Sequence, residues 1–221
     1  MRHRQHVNPL SQFFQVPFSL PDKNTIFDKP QAPIHLDIGS ARGNFLIDLA
    51  LKYPMWNFLG LEIREPLVFS AEKKRNQLGL TNLRFLFCNV NVSLDKLLLN
   101  LDQDQLKRVS IQFPDPWFKR KHFKRRVLQP YLLNSLASSL REGGEIFIQS
   151  DILEVIESMI EVIESSCYFD RKIFNGIQWL DNNPYEIYTE REIYALERDL
   201  PIYRAMYCRN SKLFINSSKN A

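Results

Sequence analysis

Cysteine is scarce. Only Cys88, Cys167 and Cys208 occur in 221 residues, far apart and odd in number. Neither a disulfide framework nor a cysteine-based zinc cluster can be built from them. They read as reduced thiols, and the expected compartment is the cytoplasm. Histidine is nearly as rare: His3, His6, His35 and His122 share no ligand spacing, so no metal site is expected. No apolar run reaches the ~18–20 residues that a bilayer-crossing helix requires. The basic start, residues 1–6, leads into no apolar stretch of the secretory kind. Seven glycines and twelve prolines without a period exclude collagen-like and low-complexity chains. What remains is 44% apolar and 12% aromatic, enough for one sizeable core.

The net charge of +4 is unevenly spread. Residues 119–126 read Lys-Arg-Lys-His-Phe-Lys-Arg-Arg, six cations in eight positions, and without them the rest of the chain carries −2. A concentrated cationic strip suits a polyanion such as nucleic acid, because each Lys or Arg laid on a phosphate releases counterions. A solvated helix start would also carry such a run.

Residues 1–33 are punctuated by five prolines and form an arm with no helical period. From residue 34 the pattern is regular. Strands are predicted at 34–38, 56–63, 83–87, 109–113 and 145–148, with helices at 44–53, 67–78, 94–101, 131–140 and 153–165. Strand and helix alternate five times, which requires βαβ units and a parallel sheet covered on both faces. Residues 169–214, richer in Tyr and β-branched side chains, read as an antiparallel pair completing seven strands. The predicted fold is doubly wound α/β, mostly parallel, with an antiparallel C-terminal strand. The domain spans residues 34–215, and 216–221 form a frayed tail.

In such sheets ligands sit beyond the carboxyl ends of the strands. The first strand runs into Asp37-Ile-Gly39-Ser-Ala-Arg-Gly43, a glycine turn that opens a helix. The second ends at Glu62, whose carboxylate can accept from both hydroxyls of a ribose. A dinucleotide site wants Gly where Ala41 stands. A cationic methionine end wants an acid, and Asp37 is placed for one, which favours S-adenosylmethionine as the cofactor. Asn89, two residues after the third strand, is placed to bond an adenine edge. After the fourth strand comes Pro114-Asp115-Pro116-Trp117, where two prolines freeze the backbone and present an acid and an aromatic ring. The cationic strip begins two residues later, so a rigid nucleobase site is continuous with a phosphate anchor.

Together Asp37-Ile-Gly39, Gly60-Leu-Glu62, Phe113-Pro-Asp-Pro-Trp117 with the strip to Arg126, Gln149-Ser-Asp151 and Thr189-Glu-Arg-Glu192 resemble the bacterial tRNA (guanine-N7-)-methyltransferases. The resemblance runs from about residue 34 to 207. It implies a Rossmann-like methyltransferase sheet, S-adenosylmethionine as donor and the variable-loop guanine of tRNA as target. It further implies that Asp37, Gly39, Glu62, Asn89 and Asp115 line the donor pocket, with Asp115 catalytic. Lys119, Asp151, Thr189 and Glu192 would bind the substrate, and Lys121, His122, Lys124, Arg125 and Arg126 would contact RNA. A monomer or weak homodimer without membrane or metal partners is expected. Two other readings differ in class: an adenine or cytosine amino methyltransferase, whose loop carries consecutive prolines, and a non-catalytic RNA-binding module on the same fold.

Overall fold

The computed structural model describes residues 7–18, 21–102, 104–173 and 179–214. Seven strands form one sheet: β1 (Ile34–Ile38), β2 (Asn57–Glu62), β3 (Leu83–Phe87), β4 (Leu106–Gln112), β5 (Glu145–Ser150), β6 (Phe169–Arg171) and β7 (Tyr203–Arg209). Their order is β3-β2-β1-β4-β5-β7-β6, with β7 antiparallel to both neighbours and β1 to β5 mutually parallel. The predicted architecture is the observed one.

Helices α2 (Asn44–Lys52) and α3 (Glu65–Gln77) cover one face. There Phe45, Leu46, Leu49, Phe58, Val68 and Phe85 form one buried cluster. On the other face α4 (Val90–Leu98), α5 (Pro130–Ser139) and α6 (Leu153–Glu164) press Leu94, Leu132, Val155 and Ile156 onto Leu36, Val109 and Ile148. Each fully buried Leu or Ile there contributes about 1.5–3 kcal/mol. Strand order reverses between β1 and β4, so a crevice opens between their carboxyl ends.

Several boundaries differ from the sequence reading, two of them for a plain physical reason, and one helix was not foreseen. Helix α4 starts at Val90 rather than 94, because Asn89 caps it by accepting from the Asn91 N–H at 3.1 Å. Strand β4 starts at Leu106, which pairs with Ile34 of β1. A helix not foreseen, α7 (Glu190–Leu196), starts where Thr189 accepts the Glu192 N–H at 3.1 Å. The arm holds a 3₁₀ turn (Gln12–Gln15) and a single helical turn, α1 (Lys23–Ile26). The tail expected at 216–221 lies outside the described residues.

Gly43, at φ +74°, opens α2, and a Cβ there would run into the Phe85 ring and stand 3.0 Å from Ala71 Cβ. Gly143 has the same φ but open space around it. Gly43→Ala should therefore destabilise the fold by about 2–5 kcal/mol, left-handed strain plus overpacking. Gly143→Ala should cost only about 1–2 kcal/mol. Urea unfolding of both variants measures the difference.

Candidate active site

The turn after β1 is built from left-handed residues, with φ +86° at Gly39, +48° at Ala41 and +74° at Gly43. The Gly39 and Ser40 N–H groups donate to the Leu61 carbonyl at 2.8 and 3.1 Å, tying the turn to β2. This geometry aims the Ala41 N–H at Glu62 Oε2, 3.0 Å away. Glu62 is 3% exposed. It also accepts from the Arg64 N–H (2.9 Å), Nε (2.9 Å) and Nη2 (3.0 Å). A carboxylate offers about four acceptor positions, and each has a donor here. Arg64 was not singled out from sequence, although it stands two residues beyond Glu62.

Asp37 is also buried, but its hydrogen-bond partners are neutral. Its Oδ1 accepts from Ser110 Oγ at 2.6 Å and from Gln112 Nε2 at 3.3 Å. Burial pushes its pKa up to about 6, against the opposing pull of those two hydrogen bonds and with a smaller push from the Glu62 carboxylate nearby. Behind it, Ser110 Oγ lies 2.9 Å from His35 Nε2. Burial, with help from Arg108, lowers His35 to about 3, so the ring is neutral. Because the ionised Asp37 can only accept, Ser110 donates to it and takes its own hydrogen bond from His35 Nε2–H. Neither Ser110 nor His35 carried a sequence signal.

Two cavities adjoin at this end of the sheet. The smaller, about 770 Å³, is lined by Glu62, Cys88, Asn89, Val7, Pro9 and Trp117 among others. The larger, about 1280 Å³, is lined by Asp37, Ser40, Arg42, Asp151 and Thr189 among others. Gly39, Arg64, Gln112, Phe113, Pro114 and Asp115 belong to the walls of both. Asn89 has both amide and carbonyl engaged: besides capping α4, its Nδ2 donates to the carbonyls of Pro9 (2.9 Å) and Phe14 (3.3 Å). The arm, whose place the sequence left open, thus walls the smaller cavity.

The Pro114–Pro116 corner is bounded by two aromatic residues with left-handed backbone, Phe113 (φ +47°) and Trp117 (φ +41°). Such φ values in bulky residues are strained, so the surrounding structure must hold this segment in place. The Trp117 ring lies in the wall of the smaller cavity, edge-on to His122 at 5.6 Å, with the Arg125 guanidinium 5.0 Å from its centroid. The cationic strip forms a 3₁₀ helix (Arg120–Arg125). Lys119, Lys121 and Lys124 are exposed, and His122 is half-buried. Desolvation and the neighbouring cations Arg125, Lys121 and Lys119 lower its pKa.

The structure corrects two expected positions. Arg126 is buried rather than turned to a polyanion. Its guanidinium donates to the Pro116 carbonyl at 3.1 Å, pairs with Glu154 and stacks 3.9 Å from the Phe123 centroid. Glu192 is fully buried and does not line the larger cavity. It pairs with Arg204 at 2.9 Å and accepts from Gln149 and Asn183 at 3.0 and 2.8 Å. Position three of α7 turns inward, which no pattern in so short a helix announces. Thr189 and Asp151 do face the larger cavity, with Asp151 paired to Arg191. Glu190 draws α7 to the glycine turn by accepting from Arg42 at 2.9 Å and from Asn44.

Among the described residues no group of metal-binding side chains occurs, and no helix is long and apolar enough to cross a membrane. The profile of a family described as putative methyltransferase matches residues 31–205. A tRNA (guanine-N(7)-)-methyltransferase of Prochlorococcus marinus (strain NATL1A) is 66% identical, over 96% of this chain and 100% of the relative. One from Parasynechococcus marenigrum (strain WH8102) is 53% identical, over 94% and 88% respectively. Among solved structures, the aminoglycoside resistance methyltransferase NpmB1 aligns over 85% of this chain and 90% of its own, with a TM-score of 0.54 and 14% identity. That likeness concerns the fold alone. With two relatives above half identity over nearly the full length, the chain belongs to the tRNA (guanine-N(7)-)-methyltransferase family.

Proposed function

We propose that this chain transfers the methyl group of S-adenosylmethionine to N7 of a guanine in the variable loop of tRNA. The observation that carries this reading is the rigid corner that puts Asp115 in the walls of both cavities, beside a strip of exposed lysines. The residues present fit the donor. Glu62 and Asn89 line the same cavity: a ribose diol would take over acceptor positions of Glu62 that Arg64 now fills, and Asn89 Oδ1, beyond its bond from the Asn91 N–H, has a second acceptor position for the adenine amino group. A Cβ at Gly39 would meet no protein atom within 4 Å, so the bare backbone lies open to both cavities. Asp37, in the larger cavity, suits the cationic methionine end.

The bound donor supplies an electrophilic sulfonium methyl. Guanine N7 already holds an in-plane lone pair, so no protein base has to remove a proton. The work of the site is alignment, and positioning supplies most of the acceleration. Asp115 holds the guanine edge by accepting from N1–H or N2–H, and its negative charge stabilises the positive charge that builds on the purine. Asp151 is the second carboxylate available for this role. The Thr189 hydroxyl, already accepting from Glu192 N–H, still has its proton to donate to the base.

N7 lies on the major-groove edge, too deep in A-form RNA for side chains to reach. The target guanine is therefore taken from a loop and lifted out of its stack. Lys119, Lys121 and Lys124 lie on phosphates beside it. Arg125, stacked on Trp117, braces the ring that lines the cleft.

Incubation of tRNA with labelled donor followed by nucleoside digestion should yield 7-methylguanosine; N6-methyladenosine would overturn the reading. In the same assay Asp115→Ala should lower turnover about 10²–10³-fold while donor affinity persists. Replacing Lys119, Lys121 and Lys124 by Ala should reduce the salt slope of tRNA binding by about 2–3 units, read from filter binding across a salt series.

The Asp37 carboxyl sets a pH limit. Above its pKa of about 6 it is charged and attracts the cationic donor; below, protonation removes the attraction. Calorimetric donor affinity should be level above pH ~6 and fall as pH drops through it. Ser110→Ala removes a hydrogen bond that favours the charged form, so the break should move to higher pH.

A further inference from the structure

A line of polar side chains, buried except for the half-buried Gln112, crosses the sheet between the donor carboxylate and α7. Strand register puts Gln112, Gln149 and Arg204 side by side on β4, β5 and β7. Gln112 Nε2 donates to Asp37 Oδ1 at 3.3 Å, and Gln112 Oε1 accepts from Gln149 Nε2 at 2.8 Å. The same Nε2 donates to Glu192 Oε2 at 3.0 Å, while Gln149 Oε1 accepts from Arg204 Nε at 3.2 Å. Arg204 then closes on Glu192 Oε1 through Nε and Nη2, at 3.2 and 2.9 Å. Gln149 and Glu192 are fully buried, and Arg204 is 5% exposed.

The direction of this line is fixed by its ends. Two carboxylates can only accept, so each glutamine has one permitted orientation, and Gln149 has both amide protons engaged. Neither amide can flip without leaving a buried group unmatched, which is costly. The line therefore joins its ends through rigid links. At one end is Asp37, in the larger cavity. At the other is Glu192, in the first turn of α7, whose cap Thr189 and neighbours Glu190 and Arg191 line the same cavity.

We propose that Gln112 and Gln149 are positioning residues that couple donor binding at Asp37 to the α7 rim, where the target base enters. Gln149 lines neither cavity, so any effect it has on a ligand passes through its neighbours. Fixing Asp37 fixes Gln112, then Gln149, then the first turn of α7. Donor and tRNA then bind with positive coupling, equal in both directions as linkage requires. This inference rests on the function proposed above.

The test measures tRNA affinity with and without saturating S-adenosylhomocysteine, which occupies the donor site without turnover. In the wild-type chain the nucleoside should tighten tRNA binding by about fivefold or more. Gln149→Met should bring that ratio close to one while the protein stays folded, as thermal unfolding reports. Gln112→Asn keeps an amide beside Asp37 but is one methylene too short to meet Gln149; it leaves the Glu192–Arg204 pair intact and should lose the coupling too. A wild-type ratio of one, or an undiminished ratio in either folded variant, would overturn the proposal. So would tRNA binding that weakens equally with and without the nucleoside, since that is a structural role only. If Gln149→Met fails to fold, Gln112→Asn decides. A wild-type chain that forms 7-methylguanosine but shows no coupling defeats this inference alone; one that forms none defeats the function on which it rests.

Discussion

A carboxylate taken out of water must be met by donors, and three of them stand buried at one end of this sheet: Asp37, Glu62 and Glu192. The surrounding structure answers that requirement in three ways. Glu62 has a guanidinium and two backbone N–H groups. Glu192 has Arg204 and two side-chain amides. Glu192 and Arg204 are both buried, and removing one partner of such a pair costs about 3–5 kcal/mol, so that pair is a fixture of the fold. Asp37 has only a hydroxyl and an amide, and burial raises its pKa. The carboxylate least compensated by the protein is the one best suited to receive a cation from outside.

The same end of the sheet stores strain. Phe113 and Trp117 hold left-handed backbone at a cost of about 1–3 kcal/mol each. They are held there by named contacts. The Phe113 N–H donates to the Gln149 carbonyl at 2.8 Å, and buried Arg126 grips the Pro116 carbonyl from below. Arg126 looks in sequence like one more cation of the strip; in three dimensions it is the clamp of the Asp115 corner.

Alternation of apolar segments announced the strands because each parallel strand is buried on both faces, as β1 is over all five residues. The glycine turn, Glu62 and the Pro-Asp-Pro corner were legible because backbone chemistry forces those residue types into those places. Fewer signals marked what lies between. Gln112 looks like an ordinary strand residue and Gln149 is one of three residues in a motif, and their partnership follows only from the β4–β5 register. Helix α7 has seven residues, too few for a period to emerge, and so Glu192 was expected on the substrate rather than buried against Arg204. A run of cations cannot tell which of its members turns inward, because that depends on a carbonyl and a carboxylate far along the chain.

The stretch from residue 7 to 18 rests on the end of β3 and the start of α4 through three hydrogen bonds that span 75 to 80 residues. Nothing in the sheet needs those bonds, and closing so long a loop is slow compared with local pairing. On a ribosome this segment emerges before β3 and α4 and finds its seat only after both have been synthesised. A segment made before its seat is thus among the later ones to dock, and the smaller cavity exists as an open groove before Val7 and Pro9 wall it.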